Sequence, residues 1–241
     1  MKLLINPQPD LKKVKMTCDG ELSSKLKQYP LTCDHLNKYN TTVFIGTQGS
    51  GKTSLMVNFV KKLFDDVFNN IYVFMPKSSR ASLENNIFER RIRSENVYDE
   101  LNESNIEELN SLVQANSARG LKSLIIMDDV QKSLKSKWVL KGLKNIIANQ
   151  RHLKCVTLIM VQNYFALDRS LRELINNGII FKLGKLQMKK VYEELIETDT
   201  DNFEDVIDLV FDKPYEYLFI NIGSQRIYKG FDEIVDLDDE D

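Results

Sequence analysis

The residues best suited to chemistry lie in one stretch, Gly46-Thr47-Gln48-Gly49-Ser50-Gly51-Lys52-Thr53, followed by Ser54. The order matches G-x-x-x-x-G-K-[ST], in which main-chain amides wrap a polyphosphate, the lysine reaches the outer phosphates and the hydroxyl holds Mg²⁺. Gly46, Gly49 and Gly51 have no Cβ, so they permit positive φ and let phosphate oxygens approach the backbone. Residues 46–54 are therefore expected to bind a nucleoside triphosphate such as ATP, with Lys52 also acting on the reacting phosphate.

A second group follows the apolar run Leu124-Ile125-Ile126-Met127, which delivers Asp128 and Asp129. A carboxylate in this position shares the Mg²⁺ held by Thr53 and the phosphates, the task expected of Asp128. Asp129 is expected to orient and deprotonate the attacking water. The competing reading is a helix N-cap, which aspartate at a strand end often supplies. Phosphoryl transfer also draws on a cation, given in cis or by a neighbouring subunit. Arg172 is the first candidate, then Arg151, then Arg169, each set against ordinary surface pairing with an acid such as Glu173.

These residues need a scaffold that brings distant strand ends together. A strand over 42–45 leads into the glycine-rich loop, and a helix runs from Lys52 to about residue 65. A strand over 71–74 ends at Met75-Pro76, and Ser104-Asn105-Ile106-Glu107 reads as a capping box opening a helix toward Gln114. Strands over 124–127, 156–161 and 179–181 alternate with helices over 138–147 and around 171–175. Helices over 187–195 and 204–210 precede a hairpin of 217–221 and 226–228. This alternation predicts an α/β fold, a P-loop NTPase with a mostly parallel sheet, helices on both faces and a C-terminal β-hairpin. Ligands of such sheets sit beyond the carboxyl ends of the strands. The fourth ending offers Gln162 and Asn163; read alone, Gln162 is also an ordinary surface residue opening a loop.

The chain divides into an N-terminal extension (1–40), an ATPase domain (41–230) and an acidic C-terminal tail (231–241). Of its 241 residues 42% are hydrophobic and 28% charged, the balance of a soluble globular protein rather than a disordered one. No apolar stretch nears the roughly 20 residues that span a bilayer, so no membrane insertion is expected. Met1-Lys2-Leu3-Leu4-Ile5 is too short for a signal-peptide core. Cys18, Cys33 and Cys155 are an odd number, which favours reduced thiols inside a cell. A zinc site from Cys18, Cys33 and His35 lacks the usual C-x-x-C pair. Seven of the 35 acidic residues fall in 231–241, without a lysine or arginine, leaving 28 acidic against 33 basic residues, a net +5, in 1–230. The acidic end is expected to fray into solvent. Lys137, Lys141 and Lys144 recur at helical spacing, as a solvated face or a track for a phosphate backbone.

One strand, 71–74, separates the glycine-rich loop from the acidic pair in sequence, which resembles the additional-strand division of P-loop ATPases. In that division a polar residue at the end of the next strand senses the γ-phosphate and water, and Gln162 stands there. The set comprising the P-loop, Leu124–Val130, Asn149-Gln150-Arg151-His152, the run ending at Gln162, and Leu171-Arg172 is similar to the poxvirus-type DNA-packaging ATPases of large DNA viruses and virophages, within the FtsK/HerA superfamily. The resemblance covers about residues 40–183. It implies a homo-oligomeric ring, pentamer or hexamer, that couples ATP hydrolysis to moving double-stranded DNA into a preformed capsid. It also implies a capsid-vertex or portal partner, and a location in the host cytoplasm or the virion. Cellular relatives usually carry Asp-Glu where this chain has Asp128-Asp129. The alternatives are a helicase or initiator ring ATPase, and an assembly switch driven by nucleotide binding.

Overall fold

The computed structural model describes residues 3–6, 39–62, 67–81, 92–196 and 202–236. Its strands are β1 (Leu3–Asn6), β2 (Thr41–Ile45), β3 (Asn70–Phe74), β4 (Val97–Tyr98), β5 (Ser123–Asp128), β6 (Cys155–Val161), β7 (Asn177–Phe181), β8 (Tyr217–Asn221), β9 (Arg226–Lys229) and β10 (Asp232–Asp236). The helices among the described residues are α1 (Lys52–Lys62), α2 (Lys77–Ala81), α3 (Glu103–Ala118), α4 (Lys137–Ala148), α5 (Arg169–Arg172), α6 (Lys185–Leu195) and α7 (Phe203–Val210). None is long and apolar enough to cross a membrane.

The strands form one sheet in the order β1-β10-β9-β8-β7-β2-β6-β5-β3-β4. From β7 to β4 every pairing is parallel, and from β7 to β1 every pairing is antiparallel. The parallel strands are apolar runs because both faces are covered: every residue of β2, β5 and β6 is buried. Side chains alternate across the sheet. Phe44, Met160 and Ile126 meet Leu55, Met56 and Phe59 of α1 on one face. Val43, Ile45, Met127 and Ile159 pack with α3, α4, α6 and α7 on the other.

At the amino ends of the central strands a buried polar network fixes the register. Thr41 Oγ1 donates to Gln150 Oε1 at 2.9 Å, and Gln150 Nε2 donates to Asn176 Oδ1 at 2.8 Å. Thr42 Oγ1 donates to Asn40 Oδ1 at 2.8 Å, while Asn177 Nδ2 donates to Thr42 Oγ1 at 3.2 Å. Stranding one of these groups costs about 1–3 kcal/mol, which penalises any slip of β2 against its neighbours.

The predicted α/β architecture is present, with four local differences. Helix α3 begins at Glu103, capped by Asn102: Asn102 and Asn105 exchange side-chain-to-backbone hydrogen bonds, so the capping box lies two residues earlier than the Ser104 pattern. The helix also continues to Ala118. Around 171–175 a single turn, α5, forms in place of a longer helix. The hairpin of β8 and β9 extends into β10. Residues 232–236 do not fray: β10 pairs with β9 on one side and with β1 on the other, Leu4 opposite Val235 and Ile5 opposite Ile234. Cys18, Cys33 and His35 lie outside the described residues, as do 237–241.

Candidate functional site

The glycine-rich loop is pinned at both ends. The Gly46 amide donates to the Val161 carbonyl at the end of β6, at 3.2 Å, and the Leu55 amide donates to Gly51, at 2.9 Å. Gly46 admits no side chain, since a Cβ there would stand 2.5 Å from Ser50 Oγ and 2.9 Å from Phe181 Cβ. Gly49 and Gly51 take φ of 77° and 100°, the left-handed region that turns successive amides inward. Ser50 Oγ is buried without a hydrogen-bond partner among the described residues, a hydroxyl available to an anion in this cradle.

Lys52 opens α1 and is buried. Its Nζ donates to the carbonyls of Gly46 at 2.6 Å and Thr47 at 2.7 Å. Burial pushes its pKa below the usual lysine range, while Asp128 and Asp129 pull it back up. Thr53 Oγ1 donates to Asp128 Oδ2 at 3.1 Å, joining the P-loop to the end of β5. Burial raises the pKa of Asp128; the hydrogen bond from Thr53 and the charge of Lys52 oppose that rise.

Asp128 and Asp129 do not cap the next helix. Helix α4 starts eight residues beyond Asp129 and is capped by Ser136, whose Oγ accepts from the Val139 amide. Asp129 is exposed at φ 55°, a conformation that aspartate tolerates better than most residues.

The strand order decides what faces these groups. β6 lies between β2 and β5, with Ile45 opposite Val161 and Asp128 opposite Met160. Gln162 thus emerges between the P-loop and the acidic pair. One cavity of about 450 Å³ is lined by Gln48, Gly49, Lys52, Thr53, Asp128, Asp129 and Gln162, together with Ser79, Gln131, Met160 and Val161. Ser79 and Gln131 were not legible as site residues. Ser79 lies just past the end of β3, where reading that strand end as closely as the others would have found it. Gln131 carries no motif signal; its Nε2 is buried without a partner among the described residues. A second cavity, about 440 Å³, flanks the other side of the loop along Gly49, Gly51, Lys52, Thr53, Ser54 and Asn58, and ends at Tyr215.

The arginines lie elsewhere. Arg172 pairs with Glu194 of α6, and its guanidinium sits 5.2 Å from the ring centre of Tyr164 and 5.1 Å from that of Phe165. These contacts tie α5 and the turn after β6 to α6. Arg151 is exposed before the amino end of β6, about 20 Å along that strand from Gln162. Arg169 is exposed and pairs with Glu173. Lys137 and Lys141 are exposed on α4 beside Trp138, 61% exposed, with Lys141 Nζ 5.8 Å from the Trp138 ring.

Chemically, the arrangement offers backbone donors, a lysine and a hydroxyl to a polyphosphate, and an oxygen pair, Thr53 and Asp128, to a hard divalent cation. Such cations take one or two protein oxygens and complete their shell with phosphate and water.

A family model described as Poxvirus A32 protein matches residues 32–222. Among curated proteins none matches. The genome packaging NTPase B204 from Sulfolobus turreted icosahedral virus 2, solved with ATPγS, superposes with a TM-score of 0.62 at 17% identity, covering 80% of this chain and 97% of that one. B204, the DNA-packaging ATPase from Sulfolobus turreted icosahedral virus, gives 0.59 at 18% identity, over 80% and 97%. The pCW3 conjugation coupling protein TcpA gives 0.57 at 12% identity, over 82% and 59%. At these identities the likeness is one of fold.

Two outcomes follow from the geometry. A carboxyl whose folded-state pKa stands above its unfolded value stabilises the fold below the unfolded pKa, and that contribution is lost as pH rises through the folded pKa. Asp128→Asn, which carries no titrating proton, therefore gains on wild type as pH rises through the raised pKa of Asp128, by a few degrees in Tm, while nucleotide hydrolysis falls at least 100-fold; thermal melting across a pH series and a phosphate-release assay measure both. Arg172→Ala lowers Tm by roughly 3–8 °C, about 1–2 kcal/mol, because it removes a half-buried ion pair and two ring contacts; an unchanged melting curve contradicts this latch.

Proposed function

The chain belongs to the Poxvirus A32 protein family, which its model matches over residues 32–222, and on that premise we propose that it is an ATP-hydrolysing motor that moves double-stranded DNA into a viral capsid. The observation that carries hydrolysis, rather than binding alone, is the insertion of β6 between the P-loop strand and the acidic strand. It sets Gln162 and Asp129 in one cavity with Lys52 and Thr53.

The P-loop amides hold the β- and γ-phosphates. Lys52 exchanges the carbonyls of Gly46 and Thr47 for phosphate oxygens, so its charge moves from the loop to the ligand. Gln162 orients a water molecule toward the γ-phosphorus, and Asp129 accepts its proton as the new P–O bond forms and the bond to the bridging oxygen breaks, leaving ADP and phosphate. Thr53 and Asp128 would hold Mg²⁺, which when bound neutralises charge on the phosphate oxygens.

A ring of identical subunits supplies the missing cation. Lys52 is the cation lining the cavity among the described residues, so charge developing on the leaving oxygen calls for an arginine from a neighbour. Arg151 already faces solvent, whereas Arg172 would first have to leave Glu194 and its two rings. The exposed lysines of α4, next to Trp138, suit the backbone of duplex DNA passing through such a ring. B204, a genome packaging NTPase and DNA-packaging ATPase of similar fold, agrees with this reading.

The test is the steady-state ATPase rate with and without blunt duplex DNA. Stimulation of fivefold or more is expected, and the triple change Lys137→Ala, Lys141→Ala, Lys144→Ala removes the stimulation while leaving the DNA-free rate within about twofold. A rate indifferent to duplex DNA in an assembled oligomer contradicts the motor, and strand displacement on a forked substrate instead favours a helicase.

A further inference from the structure

The cavity on the far side of the P-loop ends on a residue that carries no motif signal. Tyr215 is 61% exposed, and its ring edge lies against the P-loop: a Cβ on Gly51 would meet Tyr215 Cδ1 at 3.4 Å. Its backbone holds φ 64°. A bulky residue rarely adopts that region, and such outliers persist where the surroundings over-determine them and concentrate at ligand sites.

The surroundings here do over-determine it. Lys229 Nζ donates to the Leu209 carbonyl at 2.8 Å and pairs with both Asp212 and Glu216, and Glu216 accepts from the Lys213 amide at 3.0 Å. One lysine on β9 thus fastens the chain on both sides of Tyr215. Because β8 follows directly and runs antiparallel to β7, the turn stands at the same end of the sheet as the P-loop. An exposed aromatic ring is held against strain, with no core burial to gain from it, beside a cradle for phosphates.

We propose that Tyr215 is the nucleobase platform of this site, stacking a purine base whose triphosphate lies in the P-loop and whose ribose crosses the cavity along Ser54 and Asn58. This rests on the nucleotide reading given above and adds the subsite that receives the base. Stacking uses the π-face, which every base has, so the platform favours purines over pyrimidines by ring area rather than by reading one edge.

The test compares ATPγS with inorganic tripolyphosphate, each with Mg²⁺, by equilibrium titration. Wild type binds ATPγS more tightly than tripolyphosphate. Tyr215→Ala weakens ATPγS roughly 5- to 100-fold, the range spanned by base–aromatic stacking, and leaves tripolyphosphate within about twofold; Tyr215→Trp and Tyr215→Phe retain ATPγS. Tyr215→Gly loses the base as alanine does, yet keeps or raises Tm, because glycine relieves the positive φ. Equal weakening of both ligands by Tyr215→Ala, no weakening of either, or a lower Tm for Tyr215→Gly overturns the platform. A wild-type protein that binds neither ligand defeats the phosphate site itself and this proposal with it, whereas normal tripolyphosphate binding with an unchanged ATPγS affinity in Tyr215→Ala defeats the platform alone.

Discussion

The hydrogen bond from Thr53 to Asp128 joins residues 75 positions apart, and the rest of the site depends on the constraint that makes it possible. Between β2 and β5 stands one further strand, β6, so the two ends are two strand spacings apart, roughly 9–10 Å. Helix α1 leans across that interval and brings Thr53 to the carboxylate. The buried network at the other end of the sheet, through Thr41, Gln150, Asn176, Asn40, Thr42 and Asn177, prevents the strands from sliding. A one-residue slip of β6 would withdraw the Val161 carbonyl from the Gly46 amide and turn Gln162 to the opposite face. Packing of apolar strands on both faces is thereby converted into the position of a few polar atoms.

The electrostatics of the site work against the isolated fold. Burial disfavours the charged forms of both Asp128 and Lys52, and the Lys52 amine is held over two carbonyls. Each group opposes the shift that burial imposes on the other. Strain at Tyr215 follows the same logic on the other flank of the P-loop, where Lys229 and its two acids hold a conformation the chain would not choose alone. Both flanks of the loop therefore hold groups in states that the isolated chain disfavours.

Much of this was legible in the sequence because it is carried by local pattern. The P-loop announces itself through glycine spacing, and β5 and β6 through unbroken apolar runs ending in Asp128 and Gln162. What escaped was set by distant partners. Ile234 and Val235 sit among acids, so the charge of the segment pointed to solvent; beside the neighbouring β9, the pairing of β10 comes from Leu3–Asn6, more than 200 residues away in the chain. The capping box shifted because Asn102 and Asn105 satisfy each other more completely than Ser104 and Glu107, a choice that propensity does not resolve. From sequence Arg172 reads either as an arginine-finger candidate or as a surface arginine paired with an acid such as Glu173, and only the fold shows Glu194, Tyr164 and Phe165 around it. Tyr215 was invisible because its signal is a backbone angle.

On the proposed mechanism, the insertion of β6 makes Gln162 the group that positions water between the P-loop and the acidic pair. Single-turnover ATP hydrolysis by Gln162→Ala, measured alongside its affinity for ATPγS, tests it most directly. The hydrolytic rate is expected to fall at least 100-fold with affinity changed by less than about threefold, since the phosphates are held by other residues. A wild-type rate, or a loss of binding that accounts for all the lost turnover, would contradict it.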